Sequence, residues 1–248
     1  MSTPQRWSGR FAGRWWCGDF TLEDAMELLL IRHGRKAGDP FARPAQPVHG
    51  CLSEDAGLPQ ARALSEALRG VRLDAAFSSP YGRALQTAEI ALAGRALPIK
   101  VRDYLHEWEP SPAMRTGDAG QIEKLMARDR ERCVENSWKT EMGEGCFEFY
   151  GRVVPPFLED LGALGVHARM GGFVLDPGAV DLGVAVFAHG GSLAVLLAHL
   201  LGLPPFPVAR FEFMETGVAR LRFTGRCGIF YPVLVLPAPH GTPVSGWV

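Results

Sequence analysis

The run Leu28-Leu29-Leu30-Ile31-Arg32-His33-Gly34-Arg35 decides the fold. Aliphatic residues without polar alternation read as a strand buried on both faces of a parallel sheet, and the abrupt change to arginine, histidine and glycine marks its carboxyl end. Open α/β sheets bind ligands at those ends, so Arg32 and His33 stand where a crevice is expected. Read alone, the pair could equally begin an ordinary polar loop.

The same pattern returns late in the chain, where Val184-Ala185-Val186-Phe187-Ala188 runs into His189-Gly190-Gly191-Ser192. One histidine at a strand end is more often a satisfied polar residue than a catalyst. Two, each followed by a glycine that lets the backbone turn sharply and a ligand approach, point to a site. A third strand, over 73–77, ends at Ser78-Ser79-Pro80-Tyr81-Gly82-Arg83, and Arg83 falls in the first turn of a helix expected over 81–93 with Ala84, Thr87, Ala88 and Ala91 inward. Helix N-termini attract anions, and arginine adds a planar fork that matches phosphate oxygens. Arg32, Arg83, His33 and His189 converging on one crevice would trap an oxyanion, whose natural form is a phosphoryl group.

The remaining elements fill in around these ends. Residues 35–57 form a loop rich in proline, glycine and charge, of a length that is usually functional. A helix then enters at Pro59 with Ala61, Leu64, Leu68 and Val71 at helical spacing, and 99–101 reads as a further strand. Residues 108–182 change texture from charged to aromatic to glycine-rich, predicting helices over 121–134 and 147–164 and an irregular stretch to Asp181. The charge run there reads first as a solvated helix face. An apolar helix follows over 194–201, then strand-like runs at 211–213, 218–223 and 229–236, with no internal repeat. The expected architecture is a three-layer α/β/α domain with a mostly parallel sheet. Residues 108–182, inserted after a strand that carries chemistry, are expected to form a helical cap that sets specificity.

Composition narrows the function. A chain of 248 residues accommodates one α/β domain over 26–248 behind an N-terminal extension, 1–25. A net charge of -1 gives no global basic field, so neither nucleic acid nor a stable membrane association is expected and any anion site is local. Cys17, Cys51, Cys133, Cys146 and Cys227 are scattered and never spaced as metal ligands, which fits a reduced, cytoplasmic protein with no metal and no cofactor. The apolar runs fall short of the roughly 20 residues a bilayer requires, and no signal peptide is apparent. In the extension, Arg6, Arg10 and Arg14 alternate with Trp7, Phe11, Trp15 and Trp16 as in a small interfacial anchor, although Gly9, Gly13 and Gly18 weaken such a helix. The plainer readings are a packed or frayed extension, or a true start at Met26. Oligomeric state is left open, with the aromatics of the extension the one candidate contact.

Arg32-His33-Gly34, the segment SSPYGRALQTA over 78–88, Leu105-His106-Glu107 and His189-Gly190-Gly191, in this order, resemble the histidine phosphatase superfamily, the phosphoglycerate-mutase-like proteins. The resemblance runs from about residue 26 to 223. It implies a phosphatase that works through a phosphohistidine, with His33 as nucleophile and Arg32, Arg83 and His189 holding the phosphate. It also implies Glu107 as general acid and base, with Glu109 or Asp103 as the alternatives. The expected partner is a small phosphorylated substrate or inorganic phosphate.

The chain departs from the family after the first motif. Mutases typically continue with Glu, Ser or Thr, and Asn, whereas Arg35-Lys36-Ala37-Gly38 stands here, and the following helix-start pattern carries one extra residue in 52–61. A phosphoglycerate-type mutase is therefore the second reading, and a phosphate-ester-binding module without turnover the third. Arg35 and Lys36 either extend the positive crevice or are solvated loop charges.

Overall fold

The computed structural model describes residues 23–38, 51–130, 141–204 and 211–236. The Arg/Trp-rich stretch, most of the 35–57 loop and the end of the expected 121–134 helix lie outside the described residues.

The organising strand, β1 (Glu23–Arg32), contains the aliphatic run 28–31, and Leu28, Leu29, Leu30 and Ile31 are fully buried. Burying each such side chain contributes roughly 1.5–3 kcal/mol, so the first charged side chain after Glu27 appears only where the strand leaves the core. After β1 come α1 (Gly57–Leu68), β2 (Ala75–Ser78), α2 (Gly82–Ala91) and β3 (Ile99–Val101). Helix α2 turns Ala84, Thr87, Ala88 and Ala91 inward, as its spacing predicts.

Past β3 the chain makes α3 (Pro112–Thr116), α4 (Ala119–Arg130) and α5 (Cys146–Gly162). The segment expected to cap the site then joins the domain body. Helix α5 buries Phe149, Val153, Val154, Phe157 and Leu161 in the core despite Pro155 and Pro156. Strands β4 (Val166–Arg169) and β5 (Gly172–Leu175) form an antiparallel hairpin. Strand β6 (Leu182–Ala188) and helix α6 (Gly190–Leu200) follow, and the chain closes with β7 (Val218–Arg226) and β8 (Ile229–Val235).

These strands make one sheet in the order β3-β2-β6-β1-β7-β8-β5-β4. Alternation sorts their side chains: Leu29, Ile31, Ala76, Ala185 and Phe187 pack on α1 and α2, while Leu28, Leu30, Phe77, Val184 and Val186 pack on α5 and α6. The layers are thus helix, sheet, helix.

The expectation of a mostly parallel sheet is corrected. Only β3-β2, β2-β6 and β6-β1 pair in parallel; β1-β7, β7-β8, β8-β5 and β5-β4 pair antiparallel. Two of the antiparallel pairs, β4-β5 and β7-β8, close through tight hairpins whose turn residues adopt positive φ, Met170-Gly171 and Cys227-Gly228, as two-residue turns that match strand twist require. The first of these replaces the irregular stretch expected before Asp181. The expected strand over 211–213 is also absent; its Phe213 carbonyl accepts instead from the Arg32 guanidinium.

Candidate active site

Register brings the two histidines together. Arg32 of β1 lies opposite Ala188 of β6, so His33 and His189 leave neighbouring parallel strands side by side. The His33 N–H donates to the Ala188 carbonyl at 3.0 Å, and the two rings meet edge-on with centroids 4.9 Å apart. Strand β2 ends beside them, where the Ser79 N–H donates to Phe187 O. From there Pro80 leads into α2, and Arg83 in its first turn places Nε 3.0 Å from His33 Nε2.

The tautomer of His33 follows from its partners. Its Nδ1 lies 2.6 Å from the Gly34 carbonyl, which can only accept, so Nδ1 carries the proton. Nε2 therefore holds the lone pair, and Arg83 Nε–H, which can only donate, points at it. Burial, reinforced by the Arg83, Arg32 and Lys36 charges, lowers the His33 pKa from 6.5 to about 3, against the Gly34 hydrogen bond, which raises it. The ring is neutral and its lone pair aimed at all physiological pH values.

His189 is completely buried, and burial with the Arg83 charge drives its pKa well below the ordinary histidine range. Its Nε2 lies 2.8 Å from Ser79 Oγ, which also accepts the Tyr81 N–H. The Ser79 hydroxyl can donate to His189 Nε2, and in that tautomer the ring proton sits on Nδ1. Nδ1 and Arg32 Nε are both buried without a hydrogen-bond partner among the described residues. Unsatisfied buried groups of this kind are costly, and their clustering at a strand end is the mark of a binding site. Arg32 Nε also lies 3.9 Å from where a Cβ on Gly190 would sit, beside the α6 N-terminus.

Glu107 completes the group. Its carboxylate accepts the Trp108 N–H at 2.9 Å and the Gly191 N–H, in the first turn of α6, at 3.1 Å. A Cβ on Gly191 would approach Glu107 Oε1 to 2.4 Å, so a larger residue there would push the carboxylate away. Burial lowers the Arg83 pKa, and Glu107 is the strongest charge opposing that shift. Of the alternatives, Asp103 is exposed and Glu109 is more than half exposed, with Oε1 3.1 Å from His106 Nε2. Thus Arg32, His33, Arg83, Glu107 and His189 share one end of the parallel half-sheet.

Two neighbours carried no signal of their own. Buried Tyr81 stacks on His106 at 5.8 Å, meets His189 edge-on at 5.0 Å and lies under the Arg83 guanidinium. Both sit inside the quoted motifs, but nothing in their spacing shows that they touch. Arg35 is drawn aside: its Nε pairs with Glu215 at 3.1 Å, and Gln60 binds the same carboxylate.

Residues 28–230 match the histidine phosphatase superfamily (branch 1). The chain belongs to that family. It is 28% identical over 196 residues to an adenosylcobalamin/alpha-ribazole phosphatase of Escherichia coli, covering 72% of this chain and 81% of the relative. It is 30% identical over 189 residues to a glucosyl-3-phosphoglycerate phosphatase of Mycolicibacterium vanbaalenii, covering 71% and 75%. The native structure of a mycobacterial glucosyl-3-phosphoglycerate phosphatase superposes with TM-score 0.65 at 25% identity, covering 86% of this chain and 98% of that one. The same phosphatase has been solved with inorganic phosphate, at TM-score 0.61 and 24% identity over 85% and 95%. Among the described residues of this histidine phosphatase, no helix is long and apolar enough to cross a membrane.

The buried His33 ring makes stability depend on pH. Unfolding returns His33 from about 3 toward 6.5, so below about pH 6.5 the unfolded chain takes up a proton that the folded chain refuses. Stability is full above that pH and falls as pH drops toward 3, by about 1.4 kcal/mol per unit for each such histidine. Urea unfolding between pH 7 and pH 5 is expected to show this loss, with a shallower slope in His33→Gln. Equal slopes in the two proteins would contradict the buried, neutral assignment.

Proposed function

We propose that the protein is a phosphomonoesterase that transfers the phosphoryl group of a small phosphorylated metabolite to His33 Nε2 and then to water, without a metal. The carrying observation is the neutral His33 ring, with Nδ1–H anchored on Gly34 O and the Nε2 lone pair facing Arg83. When a phosphoryl group enters, Arg83 exchanges its bond to Nε2 for one to a phosphoryl oxygen. The buried Arg32 Nε and His189 Nδ1 supply further donors. These groups offset charge on the equatorial oxygens, which is most of what phosphoryl transfer needs.

Nε2 attacks phosphorus as the bond to the leaving oxygen breaks, and the protonated Glu107 carboxyl gives its proton to that oxygen. The phosphohistidine keeps its Nδ1–H on Gly34 O. The Glu107 carboxylate then takes a proton from water, whose oxygen attacks phosphorus, and cleavage of the P–N bond restores neutral His33 and releases phosphate. Splitting the displacement in two keeps each step within reach of these side chains.

The names of the relatives, an adenosylcobalamin/alpha-ribazole phosphatase and a glucosyl-3-phosphoglycerate phosphatase, support a small metabolite as the substrate class. Selection among such substrates falls to the expected cap, residues 108–182, within which the Glu144 N–H donates to Glu109 O close to Glu107. A panel of phosphorylated metabolites, assayed for free phosphate in the presence of EDTA and with a second alcohol as acceptor, tests the proposal. Phosphate release unaffected by EDTA is expected. Loss of activity on chelation, or transfer to the alcohol in place of release, would overturn it in favour of a metal enzyme or a mutase.

A further inference from the structure

The Glu107 carboxylate is held by two N–H groups, but what fixes the backbone that carries it lies on α5. The Arg152 guanidinium donates to the carbonyls of Tyr104 at 3.0 Å and His106 at 3.3 Å through Nη1, and to that of Glu107 at 3.3 Å through Nη2. Its Nε and Nη2 also form a two-pronged pair with the Glu144 carboxylate, at 2.6 and 2.7 Å. Glu144 in turn accepts the Glu109 N–H at 3.0 Å, and its carbonyl accepts the Trp108 indole N–H at 2.7 Å.

Carbonyls and N–H groups on both sides of Glu107 thus end on one arginine–glutamate pair. Both side chains are mostly buried, with 21% and 15% of the side chain exposed, and the guanidinium lies over the Phe149 ring at 5.0 Å. Burial pushes the Glu144 carboxyl up, but the Arg152 hydrogen bonds, the Glu109 N–H and the Arg152 charge together hold it below the ordinary carboxylate value, so Glu144 stays ionised and the pair holds its charge. An ion pair this far from water is a poor source of net stability. Its five donor contacts are spent on geometry around one carboxylate.

We infer that Arg152 and Glu144 are positioning residues for the proton-transfer step, fixing the 104–109 backbone so that Glu107 reaches the leaving oxygen. The inference rests on Glu107 being the general acid. A misplacement of about 1 Å at such a group costs on the order of 10²-fold in rate.

Leaving-group dependence tests it. An alkyl phosphate such as glycerol phosphate needs its leaving oxygen protonated, whereas 2,4-dinitrophenyl phosphate releases a phenoxide that needs no proton. The probe is kcat/KM on both substrates, which reports the first chemical step, for wild type, Arg152→Lys, Glu144→Gln and Glu107→Gln. Both positioning variants are expected to lose on the order of 10²-fold on the alkyl ester and far less on the aryl ester. The ratio between substrates does not depend on how much of a preparation is folded, so partial misfolding leaves the test intact. Equal losses on both esters, or none, with Glu107→Gln still selective, would overturn the positioning role alone. A Glu107→Gln enzyme with no selectivity would remove the general-acid assignment and the inference with it.

Discussion

Replacing His33 with alanine is expected to lower kcat/KM for phosphomonoester hydrolysis by on the order of 10⁴-fold or more, because it removes the imidazole whose lone pair faces the Arg83 guanidinium. The structure favours so large a loss. His33 Nε2 is flanked by Arg83 at 3.0 Å, and its ring is neutral by burial, so no neighbouring base has to activate it. Nor is His189 placed to substitute, since its Nε2 is engaged by Ser79. The variant should fold: alanine keeps the backbone bond to Ala188 and removes a buried polar ring. Phosphate release measured with the best substrate of the panel checks this, and a loss below about tenfold would show that His33 is not the acceptor.

The second large effect is expected at Glu107. Glu107→Gln keeps one acceptor oxygen for the Gly191 or the Trp108 N–H, sets its NH2 toward the other, and carries no transferable proton. Its kcat/KM on alkyl phosphates should fall by about 10²–10⁴-fold, the usual worth of general acid catalysis. With 2,4-dinitrophenyl phosphate the first step needs no acid while the second still needs a base. Rapid mixing is therefore expected to show a burst of phenoxide equal to the enzyme, then slow turnover. Steady release without a burst would place the base elsewhere, with Glu109 the next carboxylate along the chain.

Much of this site was legible because strand ends are short-range features. The apolar runs at 28–31 and 184–188 predicted strands buried on both faces, and the structure pairs them in parallel with their histidines adjacent. The spacing in α2 predicted its buried face residue by residue. The parallel sheet was over-extended because Met170 and Cys227 adopt left-handed backbone at hairpin turns, a conformation that a bulky or β-substituted residue seldom signals. The glycines were recognised for a partly different reason than the one that operates. Gly34 and Gly190 do not need positive φ; a Cβ on Gly34 would press on the Gly57 carbonyl at 3.0 Å, and a Cβ on Gly191 would come closer still, 2.4 Å from Glu107 Oε1. Arg152 and Glu144 had no sequence signal at all, since their contacts to 104–109 span more than thirty residues of chain.

The covalent intermediate is the most direct measure of the central claim. Glu107→Gln, mixed with 2,4-dinitrophenyl phosphate and quenched within the burst in alkali, where phosphohistidine survives and acyl phosphates do not, should yield one phosphorylated peptide by tandem mass spectrometry. The expected result is a single phosphoryl group on His33, absent when His33→Ala is added. A phosphoryl group on His189, on a serine or on no residue at all, with turnover intact, would contradict it.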